Sequence, residues 1–340
     1  MKLSFTPFTI VLKHPFSLSS GSRLTTPCML IEVEHEGLTG FGEASMPPYL
    51  GESIDTASSF LEGVAARNIA PSMDPGDLQA VLDALAPGNH AAKAAVDIAV
   101  HDWIGKNRGE PLYRMWGMTP EAAPTSYTIG VGPPEEVRQR VAEAADVPIL
   151  KLKMGSEKDR EMMEAVRSVT DRPVRVDVNQ GWQSAREALP MIEWLATQNV
   201  EFVEQPLPAV AVEEQRRLRE RSPLPIVADE AVVRYADLGR AAGLYDGVNI
   251  KLMKCTGLWE ARRMIHEAHR LGMKVMLGCM TETSCGISAA AHLAPMADWV
   301  DLDGALLISN DPFIGVEIRR GNICFNDLPG IGITKRTTTS

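Results

Sequence analysis

The sequence predicts a (β/α)₈-type barrel, a modified TIM barrel, with an α+β capping domain at its N-terminal side. The first observation is a beat of charge. Lys153, Asp177, Glu204, Asp229 and Lys251 follow one another at intervals of 24, 27, 25 and 22 residues. An interval of about 25 residues fits one strand, one helix and two loops, and charged strand ends at that spacing gather at one mouth of a barrel. The second observation is what precedes each charge: ILKLK, VRVDV, VEFVE, PIVAD and GVNIK are short apolar runs. Strands covered on both faces have that composition. The third is that the beat starts only near residue 125, so the preceding residues need another architecture.

Residues 3–12 and 28–44 read as strands, the second stretch as a hairpin turning at Glu36-Gly37. The polar, glycine-containing stretches 14–27 and 45–53 read as loops. They are either binding loops held on a rigid scaffold or plain surface connections. Residues 53–67, 75–86 and 89–107 read as helices, the last Ala-rich with apolar residues at helical spacing. Asp97, His101 and Asp102 lie on the last of these helices; a metal site or a triad is one reading of them, and pairing at the helix surface or ends is the expectation. A turn over 111–124 leads into eight expected strands: 125–129, 149–153, 174–178, 200–204, 225–229, 247–251, 273–278 and 298–303. Helical stretches such as PEEVRQRVAEAA and LWEARRMIHEAHRLG fill the gaps. GVEIRRGNICFNDLPG reads as a short hairpin returning to the first domain, and the last six residues, KRTTTS, as a frayed end. The expected division is a capping domain over 1–122, completed by 308–340, and a barrel over 123–307.

Composition sets bounds. The chain has 340 residues, 45% of them hydrophobic and 23% charged, and a formal charge of −10. These are values of a globular protein, and the acidic balance argues against a nucleic-acid surface. Five cysteines without a CxxC argue against a disulfide framework or structural zinc. The N-terminus is a poor signal peptide, and no run of 18 apolar residues offers a membrane span. A cytoplasmic protein is the expectation.

The charged residues carry the chemistry. Asp177, Glu204 and Asp229 end three successive expected strands, and three carboxylates suit a hard cation such as Mg²⁺, leaving positions for substrate and water. Neither His nor Cys stands at these strand ends, which disfavours zinc. Lys151 and Lys153 alternate with Leu152 and point the same way. Two adjacent ammonium groups should lower one pKa toward the range of a base. Lys251 ends the sixth barrel strand, across the mouth from Lys153 on the second, so the two would face opposite sides of a substrate. Asp301 and Asp303 alternate in DLD. With the metal served elsewhere, a substrate amine is their better partner, and capping of the next turn is the alternative.

KLKMG, VDVNQGW, VEQPL, VADEA, NIKLMK, MLGCMTETS and DLDG together resemble the enolase superfamily, within it the muconate-cycloisomerase-like subgroup, and most closely dipeptide epimerases of the L-Ala-D/L-Glu type. Sites of that superfamily pair a Lys or His base with Mg²⁺. The resemblance implies Asp177, Glu204 and Asp229 as Mg²⁺ ligands, and Lys153 and Lys251 as acid/base lysines with Lys151 as their tuning neighbour. It also implies Asp301 and Asp303 as partners of the dipeptide α-ammonium. Arg23, the one arginine of the first loop, resembles a family arginine that takes a glutamate side chain; a plain surface charge is the other reading. GCMTETS lacks the histidine of the mandelate-racemase-like subgroup.

The implied function is Mg²⁺-dependent epimerisation of a dipeptide at the α-carbon of its C-terminal residue, by 1,1-proton transfer between two lysines through an enediolate. Peptidoglycan peptide metabolism is one setting for it. The alternatives are o-succinylbenzoate synthase or cycloisomerase activity on the same site, which leaves DLD without a role, and a catalytically silent metal-dependent peptide binder. The expected partner is a small dipeptide, with no nucleic acid or membrane; assembly into a homo-oligomer is left open.

Overall fold

The computed structural model describes residues 1–18, 21–67 and 69–337. Its centre is the expected barrel. Eight parallel strands follow in sequence order: β4 (Ser126–Ile129), β5 (Ile149–Lys153), β6 (Val174–Asp177), β7 (Val200–Glu204), β8 (Ile226–Ala228), β9 (Gly247–Lys251), β10 (Lys274–Gly278) and β11 (Trp299–Asp301). A parallel bridge between Thr125 and Val300 brings the eighth strand back to the first. Every strand end lies within two residues of its expected place. Each of the first seven strands leads to a helix, whereas β11 is followed by a 3₁₀ turn, Gly304–Leu307.

The N-terminal unit differs from expectation in its sheet. β1 (Lys2–Leu18), β2 (Gly21–His35) and β3 (Leu38–Ser45) form an antiparallel meander. Most of the stretch expected as a first loop is therefore strand, and Arg23 pairs with Phe16 across it after a register shift between Val11 and Phe16. Ser19 and Ser20 of that stretch lie outside the described residues. The polar composition misled because an antiparallel ribbon needs only backbone pairing along its length; its side chains can face water.

Three helices back the sheet: α1 (Ile54–Ala65), α2 (Pro75–Leu85) and α3 (His90–Arg108). α3 packs directly on β3. A Cβ at Gly40 would strike the Ala99 carbonyl and Trp103, and one at Gly42 the Ala95 carbonyl. Glycine on the strand and alanine on the helix permit that approach.

α3 is buried on nearly every side, and Asp97, His101 and Asp102 pair as expected but in the interior, not at a helix surface. Asp97 Oδ2 accepts from the amides of Leu258 (2.5 Å) and Trp259 (3.4 Å), the first of helix Leu258–Arg270. It thereby supplies partners for amides that a helix start leaves free. His101 Nδ1 lies 3.3 Å from Asp97 Oδ1. Asp102 accepts from Phe41 N (2.8 Å), Ile331 N (2.9 Å) and Lys106 Nζ (2.6 Å). A helix enclosed all round must pair its polar groups with its neighbours.

The tail fastens the two units. Leu12 bridges Ile308, and Ser309 N donates to Val11 O at 2.8 Å. The expected hairpin forms from Glu317–Arg319 and Asn322–Cys324, but its turn docks on the barrel, where Gly321 abuts Pro148 and its carbonyl accepts from Thr125 N. The segment after it reaches the first unit. Gly330, at φ +72°, lies against Asp102 and Gly105, where a side chain has no room. Lys335 and Arg336 are not frayed: Lys335 Nζ donates to Glu32 Oε1 at 2.5 Å and Arg336 N to Pro312 O at 2.8 Å. Thr338–Ser340 lie outside the described residues. Among the described residues no helix is long and apolar enough to cross a membrane.

Candidate active site

Parallel pairing sets the charged strand ends side by side. Lys153 is opposite Asp177, and Asp177 opposite Glu204. Asp177, Glu204 and Asp229 are buried, with carboxylate oxygens within 4.8 Å of one another. Lysines surround them. Lys153 Nζ donates to Asp177 Oδ2 at 2.6 Å and to Asn179 Oδ1 at 3.1 Å. Lys251 Nζ donates to Asp229 Oδ2 at 2.7 Å. Lys151, deeper on β5, lies 2.7 Å from Asp301 Oδ2, 2.7 Å from Glu204 Oε2 and 3.2 Å from Asp177 Oδ2. β5 and β9 have three strands between them on either side, so Lys153 and Lys251 stand across the mouth from one another.

Burial and charge compete here. Glu204 is pushed up to about 8, first by burial and then by the negative charge of Asp177. Its Oε1 accepts from Asn249 Nδ2 at 2.7 Å. Its Oε2 is close to Lys151 but makes no hydrogen bond of acceptable geometry; the contact is Coulombic only. Asp229 is also buried, yet Lys251 and Lys254 outweigh that and hold it below its ordinary value. The lowering expected where two ammonium groups adjoin does not occur at Lys151. Burial favours it, but Asp301, Glu204 and Asp177 together hold Lys151 well above the ordinary lysine value. Lys251 is held up in the same sense by Asp229 against burial. Carboxylates in direct contact outweigh a like charge further off.

Asp301 and Asp303 both border the mouth, but β11 ends at Asp301, and Asp303 lies beyond it, just before the 3₁₀ turn. Asp301 Oδ1 accepts from Ser126 Oγ at 2.6 Å and Oδ2 from Lys151 at 2.7 Å. Asp303 Oδ2 accepts from Thr128 N at 2.6 Å. Asp303 makes no side-chain bond to the turn that it precedes, so capping does not account for it. Burial and the neighbouring Asp301 charge push it up to about 7.

The first unit roofs the mouth. A cavity of about 320 Å³ is bounded below by Lys151, Lys153, Lys251, Asp301 and Asp303 and above by Phe16, Arg23 and Tyr49. Arg23 lies over the Phe16 ring at 4.9 Å and donates through Nε to Thr26 Oγ1 at 3.2 Å; among the described residues no carboxylate pairs with it. Tyr49 Oη donates to Met280 Sδ at 2.8 Å.

Several residues of the site escaped the sequence reading. Lys254 Nζ donates to Asp229 Oδ1 at 2.5 Å and to the carbonyls of Asp229, Val232 and Asn249. NIKLMK contains it, and a second lysine three residues beyond a strand-end lysine was the available signal. Asn179 bridges Lys153 to Glu230, donating through Nδ2 to Glu230 Oε1 at 3.2 Å. Phe16 and Tyr49 fall in the two stretches read as possible binding loops; no pattern singled them out.

Comparison with known proteins agrees across the whole chain. An L-Ala-D/L-Glu epimerase from Bacteroides thetaiotaomicron is 49% identical over 337 residues, which cover 98% of this chain and 88% of that protein. An L-Ala-D/L-amino acid epimerase from Flavobacterium johnsoniae is 36% identical, with 98% and 99% covered. The solved dipeptide epimerase from Enterococcus faecalis, complexed with Mg and the dipeptide L-Leu-L-Tyr, superposes with a TM-score of 0.92 at 30% identity, covering 98% of this chain and 99% of that one. Residues 134–338 match the enolase C-terminal domain-like family, and residues 5–117 match the N-terminal domain of the mandelate racemase / muconate lactonizing enzyme family. With each structural unit matched to its counterpart, the chain belongs to the mandelate racemase / muconate lactonizing enzyme family of the enolase superfamily.

Proposed function

We propose that this chain is a Mg²⁺-dependent dipeptide epimerase that inverts the α-carbon of the C-terminal residue, with L-Ala-D/L-Glu as its substrate. The observation that carries the reading is the pair Lys153 and Lys251, set across the mouth on either side of three buried carboxylates. The epimerase relatives support the substrate class. We assign residues 1–122 with 308–340 to the cap and 123–307 to the barrel. A cytoplasmic setting fits a chain whose five cysteines are all free.

Asp177, Glu204 and Asp229 fit Mg²⁺. All three donors are oxygen, Glu204 Oε2 lacks a hydrogen bond among the described residues, and burial and the neighbouring Asp177 charge push Glu204 up. Bound there, the cation would stabilise the negative charge that develops on the substrate carboxylate as the α-proton leaves. Lys153 and Lys251 address opposite faces of the α-carbon: one in its neutral form takes the proton, the other as ammonium returns one. Lys151 holds Asp301 in place and adds fixed positive charge beneath the site. Lys153 and Lys251 each donate to one of these carboxylates, Asp177 and Asp229, so a cation held there would compete with the two ammonium groups for the same oxygens.

Asp301 and Asp303 are assigned to the α-ammonium of the first residue. Asp303, pushed up beside Asp301, gains most from an arriving cation. Arg23, with no carboxylate partner among the described residues, is assigned to the acidic side chain of the second residue.

A chiral assay tests the reading: the protein with Mg²⁺ should interconvert L-Ala-L-Glu and L-Ala-D-Glu. N-acetylation removes the ammonium charge, and losing a charge-assisted hydrogen bond costs about 1.5–3 kcal/mol, so kcat/KM should fall at least about tenfold. Asp303→Asn should lower turnover of the free dipeptide and shrink the penalty for acetylation. Equal turnover of free and acetylated dipeptides would instead favour a substrate without an amine, as in the cycloisomerase-type alternative.

A further inference from the structure

A hydrogen-bond chain runs from the roof to the end of the seventh barrel strand. Arg23 Nε donates to Thr26 Oγ1 at 3.2 Å, and Thr26 Oγ1 lies 2.7 Å from Thr281 Oγ1. Thr281 follows β10 in the stretch MLGCMTETS and borders the cavity with Arg23. Ser45 Oγ donates to the Thr281 carbonyl at 2.6 Å, so both β2 and β3 of the cap grip this residue.

The direction of the chain can be assigned from what each hydroxyl has left. Thr26 is fully buried, and among the described residues its hydroxyl is bonded only to Arg23 and Thr281. Arg23 Nε is a donor and cannot accept. The Thr26 proton therefore has one acceptor, Thr281 Oγ1. A hydroxyl has a single proton, and that of Thr281 is not used by Thr26. Among the described residues Thr281 Oγ1 has no second partner, and the cavity is the open direction. A buried hydroxyl with a proton to give, beside a guanidinium that no carboxylate pairs with among the described residues, is a two-point donor set for one anionic group.

We propose that Thr281 is a specificity residue: its hydroxyl donates to the side-chain carboxylate of the second residue of the dipeptide, and Thr26 couples it to Arg23 so that the two recognise that carboxylate as a unit. This rests on the reading of Arg23 given above. It adds a contact from the barrel to one from the cap, so acidic substrates are read by both units at once.

The test is Thr281→Val, nearly isosteric and unable to donate, with Thr281→Ser as the variant that keeps the hydroxyl. Steady-state kinetics on L-Ala-L-Glu and L-Ala-L-Leu are compared for wild type, both variants, Arg23→Ala and the double variant. Thr281→Val should lower kcat/KM for L-Ala-L-Glu by about ten- to a hundredfold, chiefly through KM, because one bond to a charged group is lost. L-Ala-L-Leu should change less than about twofold. Thr281→Ser should restore most of the loss, and the double variant should lose less than the product of the single losses. An unchanged L-Ala-L-Glu reaction in Thr281→Val overturns the proposal, as does an equal loss on both dipeptides, which would mark a structural role. If Thr281→Val is selective while Arg23→Ala is not, Thr281 stands and the assignment of Arg23 falls. Additive losses overturn the coupling through Thr26 and leave the contact.

Discussion

Glu204→Gln should abolish turnover and leave the protein folded. The glutamine has the shape of the carboxyl it replaces, can still accept from Asn249, and carries no charge to repel Asp177. What it removes is one of three anionic donors. The cation that would meet the developing charge is then held less firmly, and kcat should fall by at least about a hundredfold. EDTA should do the same to the wild type, and added Mg²⁺ should restore activity to the wild type but not to the variant. Thermal melts separate this from unfolding: Mg²⁺ should raise the wild-type Tm by mass action and leave that of Glu204→Gln nearly unchanged. Without metal, pH adds a second readout. Glu204 is raised in the folded state from about 4.5 to about 8, so the folded protein holds a proton that the unfolded chain has lost. Its contribution is fully present below about 4.5 and is lost as pH rises through about 8. The glutamine variant should lack that part of the decline. Full activity in metal-stripped wild type would sink the assignment.

The second large effect is expected at the two lysines. Lys153→Ala and Lys251→Ala should each lose epimerisation by about a hundredfold or more, as removal of a positioned acid or base does. In deuterated water each should still exchange the α-proton of one stereoisomer, the one whose proton faces the surviving lysine. The two variants should exchange opposite stereoisomers. Either variant exchanging both isomers equally would rule out one base per face. Neither exchanging at all in folded, Mg²⁺-binding protein would point to the silent binder.

The barrel was legible because its strands carry two independent signals, apolar runs and a charge at nearly every twenty-fifth position. The same beat brought Asp177, Glu204, Asp229, Lys153 and Lys251 into one list before any geometry was known. What stayed hidden depends on contacts distant in sequence. Asp97 looked like a helix-surface residue because its partners, the amides of Leu258 and Trp259, lie some 160 residues on and are backbone groups. The cap sheet was misread at 14–27 because backbone pairing leaves no mark on polar side chains. The sign of the Lys151 shift could not be had from KLK alone, since it is set by Asp301 on the last strand and Glu204 on the fourth.

The clasp between Asp102 and Ile331 has a consequence for how the protein comes into being. The carboxylate and the amide that fills it are 229 residues apart. Synthesis proceeds at about 5–20 residues per second, so Asp102 leaves the ribosome on the order of ten to fifty seconds before its partner. Throughout that interval α3 carries an acid shaped for a segment not yet made, and its glycine-lined seat for Gly330 is bare. The roof over the mouth is made before the barrel beneath it and is locked only after that barrel is complete.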